Sequence, residues 1–411
     1  MREDISQPSR PGKWFWAAIA IGAIIRAYLV LFTQGTYDVG IWWEHAIGVR
    51  NLGLIGYYHA DSSMNHPPFI SVVMSLLLSA AKASGIPFRI LLRAPFAILD
   101  AGTALLLLNL LRNKRYRFAA VACYWLHPLA IIFSSYHGNT DSAVAFFLLL
   151  CVWLLSKEKI IWAGVVLGAS FWVKLPGILV IPVFILFVQG WRRRLIFLCA
   201  VAVIAVSTYL PALCQDASVV YKNVLAYRGQ RVYTTEGVTV WGISGVIEQS
   251  GVTFPKWHDT TQAIAQFYLR HNTWFYAVPL ALIILLRRSK RTVEDLGATV
   301  AQVYVALYGF LNFFSFQYFA WSVPFWFFTP LWFVVPATVL AGGYVYLLYW
   351  FVCDNALLLG PWDFMGHPHW PELLIVFKNL AILFFFISGC VFLIAAIYRQ
   401  IVHADSPAGS G

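Results

Sequence analysis

Charged residues are what this chain has least of. Asp, Glu, Lys and Arg make up 11% of its 411 residues, under half of the about 25% usual in a soluble domain. That scarcity excludes an ordinary water-soluble fold. Acids are scarcer than bases, 18 against 29, which leaves a formal net charge of +11. The surplus does not read as a nucleic-acid surface, because its Lys and Arg stand in short clusters between apolar runs, the pattern that orients membrane spans. No repeat of fixed period is present, and the one low-complexity tract is the tail HADSPAGSG. A compact metal motif such as HExxH is also missing. No metal ligands are assigned on that basis, and no cofactor is assigned, with a bound divalent cation left open. Cysteines number six. Cys123, Cys151, Cys199 and Cys390 lie in apolar runs and read as small hydrophobes, whereas Cys214 and Cys353 lie near span ends and could pair.

What the chain has in excess is apolar and aromatic surface. Hydrophobic residues reach 60% and aromatics 17%, and the mean hydropathy is +0.71. The runs are long enough for lipid to be the solvent. The fold class that follows is an all-α polytopic membrane protein, a bundle of about 11–13 hydrophobic segments. Residues 1–13 read as a cytoplasmic tail before an uncleaved first span at 14–33, 14–398 as a single transmembrane domain, and 399–411 as a second tail. Inside anchors at Lys114-Arg115-Arg117, Lys157 with Lys159, Arg192-Arg193-Arg194 and Arg287-Arg288 set the parity of the spans. Parity makes 68–84, opened by Pro67-Pro68, a re-entrant or interfacial piece. It makes 161–188 two half-length helices meeting at Lys174-Leu175-Pro176-Gly177. Other spans are expected near 90–111, 118–134, 143–156, 195–213, 274–287, 297–313, 318–332, 334–352 and 378–398. Residues 34–67 form the first outer loop and 214–273 the largest one.

The polar residues that remain collect on the expected outer side: Asp38 and Glu44, His66, His137, Asn139 and Asp141, Lys174, Arg228 and Arg231, then Gln317 and Tyr318. Ionisable groups gathered at one face of a membrane protein mark a site. Asp38 has the chemistry of a general base for an acceptor hydroxyl, though acids in a loop are also ordinary solvated groups. Lys174 is more telling, since a lysine in an apolar hairpin costs about 2.5–3.5 kcal/mol unless it snorkels or pairs. A lipid phosphate suits its point charge, and Lys174→Ala is expected to lose donor affinity without unfolding the protein. Arg93 and Asp100, seven residues apart, share a helix face and are expected to form a structural ion pair. The aromatic stretch from Phe313 to Trp332 reads mainly as packing.

In chain order these pieces resemble a known family. They are Asp38 with Glu44, NHPPF at 65–69, Leu99-Asp100-Ala101, YWLHPLAIIFSS at 124–135, SSYHGNTDS at 134–142, FWVKLPGILVIP at 171–182 and SFQYFAWSVP at 315–324. Together they resemble the C-type-fold (GT-C) membrane glycosyltransferases that use lipid-phosphate sugars, most closely the catalytic subunits of the glycosylphosphatidylinositol mannosyltransferase I type. The sequence departs from that family's Asp-x-Asp pair at Thr36, which leaves TYD and one carboxylate fewer for any metal.

The resemblance implies a multi-pass protein of a bacterial inner membrane or the endoplasmic reticulum, with its active site on the exoplasmic face. It implies an inverting transfer from a polyprenyl- or dolichyl-phosphate mannose to a hydroxyl of a lipid or glycan acceptor. In that scheme Asp38 and Glu44 are catalytic, Glu44 orienting the acceptor. Lys174, Arg228 and Arg231 bind the donor phosphate, and His66, His137, Asn139, Asp141, Gln317 and Tyr318 line the pocket. A small membrane subunit accompanies the eukaryotic relatives. Two alternatives stay open: a transporter or flippase for a lipid-linked glycan, for which broken helices are equally suited, and the same fold with another donor sugar.

Overall fold

The structure is a computed structural model, and it describes residues 11–226, 241–286, 292–312, 315–364 and 370–404. Among them every regular element is helical, as lipid demands of a chain that must satisfy its own backbone hydrogen bonds. Among these described residues four helices are long and apolar enough to cross a membrane, or up to seven spans if each of three sharply bent helix pairs counts as one. The chain is therefore an all-α polytopic membrane protein. It divides into two compact units.

The first unit comprises Met1–Ile178, Val188–Gly229 and Tyr349–Phe364. Its helices are α1 (Lys13–Phe32), α2 (Tyr37–Ala60), α3 (Pro68–Ser84), α4 (Phe88–Leu110), α5 (Arg117–Trp125), α6 (Pro128–Ile131), α7 (Asp141–Ser156) and α8 (Ile160–Ser170). After α9 (Ile181–Phe187) come α10 (Trp191–Ser207) and α11 (Leu210–Val220). The expected first outer loop is thus mostly helix. Buried Trp42, Ala46 and Val49 recur at helical spacing along α2, but four glycines interrupt its pattern, and Gly53 (φ 71°) kinks it. Glycine is the poorest ordinary helix former, so local preference hides this helix. On α3 the stripe Ile70, Met74, Leu78 and Ala81 packs with Trp42 of α2 and with Phe88, Leu92 and Phe96 of α4, an apolar face at 3–4-residue spacing. At 17 residues α3 spans about 25 Å, and it is not among the spans that pass by length and composition.

Two buried polar networks pin this unit, and one corrects the sequence reading. Asp100 does not pair with Arg93. Arg26 of α1 reaches Asp100 Oδ2 with Nε at 2.8 Å and Nη2 at 2.5 Å, its Nη1 donates to the Trp125 carbonyl, and the Tyr124 hydroxyl donates to Asp100 Oδ1. Seven residues along a helix is a rise of about 10 Å, too far for a direct pair once another helix presents a cation. Arg93 serves α1 instead. It donates to the carbonyls of Val30 (3.0 Å) and Thr33 (2.7 Å) and to Thr33 Oγ1 (2.8 Å). A cation on the orphan carbonyls of a helix end satisfies them and suits the dipole.

Lys174 sits where the chain breaks. Helix α8 ends at Ser170, and helical structure resumes as a 3-10 turn at Pro176–Val180, because the residue before a proline is driven from the helical region. The expected pair of half-length helices around Lys174 is present. The free cysteines do not pair: Cys214 is exposed, and the Cys353 thiol lies 2.9 Å from the Tyr136 hydroxyl.

The second unit comprises Leu179–Phe187, Gln230–Leu348 and Met365–Gly411. It holds α12 (Ile243–Thr253), α13 (His258–Arg270), α14 (Asn272–Leu286), α15 (Val293–Phe310), α16 (Val323–Trp326), most of α17 (Leu331–Cys353) and α18 (Glu372–Ala404). The span expected at 318–332 is instead a 3-10 turn, Phe316–Trp321, followed by the four-residue α16. Pro324 and Pro330 each remove a donor. Much of the expected large outer loop is also helical, in α12 and α13.

Candidate active site

Three short stretches of the first unit meet around Asp38. The chain leaves α1 through Gly35, whose φ of 83° suits glycine, and enters α2 at Thr36. The Thr36 hydroxyl accepts from the Asp38 amide (3.3 Å) and donates to the His137 carbonyl (2.7 Å). Where the resembling family carries its first acid, this chain has a helix cap that also ties α2 to the second stretch. That second stretch follows α6, where Ile132–Tyr136 forms a π turn, a local widening of the helix frequent at functional sites. Gly138 then turns the chain with φ 77°, and a Cβ there would lie 2.5 Å from Val39 Cγ2. Only glycine allows this close approach of the loop to α2. Asp141 opens α7, an acid at a helix N-terminus. The third stretch is the break carrying Lys174.

Asp38 is held by one oxygen. Asn139 Nδ2 donates to Oδ2 at 2.5 Å, and His137 Nε2 lies 3.2 Å from the same atom, bent away from the straight hydrogen-bond line. Bent contacts of this kind are common in catalytic groups without substrate. Asn139 is itself oriented, its Oδ1 accepting from the Thr140 amide at 2.6 Å. Among the described residues no donor engages Oδ1 of Asp38, and the side chain is 27% exposed. Burial pushes the Asp38 carboxyl up, but nearby His137, the Asn139 amide and the Lys174 charge together hold it below the ordinary carboxylate range. The arrangement is an ionised carboxylate with one oxygen fixed and the other presented.

Lys174 Nζ bonds both oxygens of Asp141, at 2.7 and 2.8 Å. Asp141 is 0% exposed and Lys174 19%. Asp141 is therefore a counter-ion of the lysine. Lys174→Ala is thus expected to cost stability as well as donor affinity, because the deletion removes a cation bonded to a buried carboxylate. The His66 ring stacks on Trp42 at 3.9 Å. Burial, then the charges of His45 and Lys174, push its pKa well below the ordinary value against the pull of Asp38. Burial likewise lowers that of His45, against the pull of Asp61, Glu44 and Asp38. Both rings are neutral at neutral pH.

Within the first unit, Glu44 stands apart from this cluster. Glu44 is exposed and, six positions from Asp38, lies about 240° around the helix axis, so it does not share the face of the base. Gln317 and Tyr318 belong to the second unit. There Ser315 donates to Gln317 Oε1 (3.0 Å), and the Tyr318 ring stacks on Trp321 at 4.2 Å. Arg228 and Arg231 lie outside the described residues. Among the described residues no three His, Cys, Asp or Glu side chains come together as a metal site. With Thr36 in place of an acid and Oδ2 of Asp38 committed to Asn139 and His137, the donor set does not fit a divalent cation, and no step is routed through one.

The structure also adds residues absent from the sequence reading. Tyr349, in the last turn of α17, places its hydroxyl 2.5 Å from His137 Nδ1. Nothing local marks it, as it is one tyrosine among 20, in an apolar helix. Beside the first turn of α2 a groove of 490 Å³ is lined by Gln34, Val39, Trp43, Lys82, Phe88 and Arg89 among others, with two cations and no acid.

The chain's residues 65–313 match the sequence profile of Glycosyltransferase family 87. It belongs to glycosyltransferase family 87. The matched span carries His66, the 137–141 loop and Lys174, while Asp38 precedes it and Tyr349 follows it. No curated protein matches the chain. Membership in family 87 makes this chain a membrane glycosyltransferase, with a sugar donor and an acceptor as its substrates.

Proposed function

We propose that this family 87 protein transfers a hexose, by resemblance mannose, from a polyprenyl- or dolichyl-phosphate donor to a hydroxyl of a lipid or glycan acceptor, at the exoplasmic face and with inversion. The observation that carries the reading is Asp38, ionised, anchored through Oδ2 and open at Oδ1. In the reaction Oδ1 takes the hydroxyl proton as the acceptor oxygen forms its bond to the anomeric carbon. The bond from that carbon to the phosphate oxygen breaks, and the electron pair leaves on the lipid phosphate. One displacement inverts the anomeric centre. Among the described residues the other acid of the cluster is Asp141, fully buried against Lys174, which argues against a second carboxylate acting as nucleophile.

The phosphate is assigned to Lys174, with Arg228 and Arg231 as the resemblance implies. Asp141 fixes the ammonium's position and offsets its charge. The acid-free groove bearing Lys82 and Arg89 adds positive potential beside α2, and such preorganised charge favours the departing phosphate.

Purified protein incubated with radiolabelled lipid-phosphate mannose and a panel of acceptors is expected to yield a product of inverted anomeric configuration. A retained configuration, or no transfer to any acceptor while sugar lipid crosses the bilayer, rejects the proposal. The pH profile is a further expectation. A carboxylate held below its ordinary range stays ionised as pH falls, so kcat/KM should hold from neutrality to about pH 4 and decline only below it. An acid limb near pH 6.5 would assign the base to histidine instead.

A further inference from the structure

Asp38 has a support that lies outside both the family-matched span and the sequence motifs. Its carboxylate can only accept hydrogen bonds, so the tautomer of His137 that suits it carries its hydrogen on Nε2, 3.2 Å from Oδ2. In a neutral imidazole Nδ1 is then the acceptor, and the group 2.5 Å away, the Tyr349 hydroxyl, is the donor. In that tautomer the hydrogens run one way: the Tyr349 hydroxyl donates to Nδ1, and the Nε2 hydrogen faces Asp38. The other tautomer would aim a lone pair at the carboxylate. His137 is 2% exposed and Tyr349 is fully buried, so bulk water cannot take the tyrosine's place. The tyrosine ring is fixed in turn by edge contacts with Trp362 (4.9 Å) and Tyr136 (5.6 Å).

We propose that Tyr349 is a positioning residue that sets the tautomer of His137, so that His137 holds Asp38 ionised with Oδ1 toward the acceptor. The inference rests on the reading of Asp38 as the base. The groups acting electrostatically on Asp38 are His45 on its own helix, His66 before α3, His137 beside α7, Lys174 after α8 and Tyr349 on α17, while Glu44 acts on His45 and Asp141 on Tyr349. Of these, only His137 touches both Asp38 and the Tyr349 hydroxyl through its two ring nitrogens.

Tyr349→Phe removes the hydroxyl and keeps the ring. It is expected to lower kcat about tenfold, the worth of one well-placed hydrogen bond, with KM unchanged. The acid limb of kcat/KM should move to higher pH, since Asp38 loses a donor to its charged form. His137→Gln is the decisive background, because its amide can donate to Asp38 with no ring tautomer to set. There, adding Tyr349→Phe should change kcat less than twofold, and His137→Gln should outperform His137→Ala. Losses that multiply in the double variant would show that Tyr349 acts by packing alone and overturn the proposal, as would a native pH profile for Tyr349→Phe. If Asp38→Asn retained transfer, the base itself would be misassigned. If Asp38→Asn is inactive and Tyr349→Phe is native, only the tyrosine's role fails.

Discussion

Asp38→Asn is expected to cut kcat by at least about 10²-fold, the range seen when a general base is removed, with the protein still folded. The substitution keeps the shape of the side chain. An amide oxygen at the Oδ2 position can still accept from Asn139 and His137, so the contacts joining α2 to the 137–141 loop survive. What disappears is the basicity of the open oxygen, because an amide does not take a proton at neutral pH. Turnover with the lipid-phosphate donor, set beside thermal unfolding in detergent, checks both halves. Activity within tenfold of native would remove Asp38 from the reaction. The same variant separates the two function classes raised by the sequence, since a flippase has no hydroxyl to deprotonate.

The second large effect is on stability. Lys174→Ala removes both hydrogen bonds that this ammonium makes to Asp141 and leaves a fully buried carboxylate without that cation. Breaking a buried pair from one side costs about 3–5 kcal/mol, enough to lower the unfolding temperature and the yield of folded protein. Combining Lys174→Met with Asp141→Asn removes both charges at once. That double variant is expected to recover most of the lost stability, as apolar replacement of buried pairs often does, while its KM for the donor stays raised. Thermal unfolding of the two variants against native protein is the measurement. A single variant as stable as native would show that Asp141 does not depend on Lys174.

Asp141 illustrates why the site was only partly legible. The cluster His137, Asn139, Asp141 stands out in the sequence because polar residues are rare in apolar surroundings, and Lys174 stands out for the same reason. Which of them touch is a separate matter. Asp141 and Lys174 are 33 residues apart, Asp38 and Asn139 are 101, and His137 and Tyr349 are 212. Each separation is bridged by helix packing rather than by local spacing. The Arg93–Asp100 expectation failed on this ground: sharing a helix face is a local fact, whereas the partner of Asp100 came from α1. Glu44 shows the converse, since its nearness in sequence to Asp38 leaves it on another face of the same helix.

The sequence by itself determined that the chain is an all-α membrane protein, where most of its helices run and that the helix breaks at Lys174. Hydropathy, charge clusters and proline act through the chain's immediate neighbours, so they can be read along it. Only the tertiary structure decided that Lys174 is neutralised by Asp141, that Thr36 is a cap, that Asp38 keeps one oxygen free and that Tyr349 stands behind His137. Those outcomes depend on which helix faces meet, and burial away from water is what makes each such meeting count.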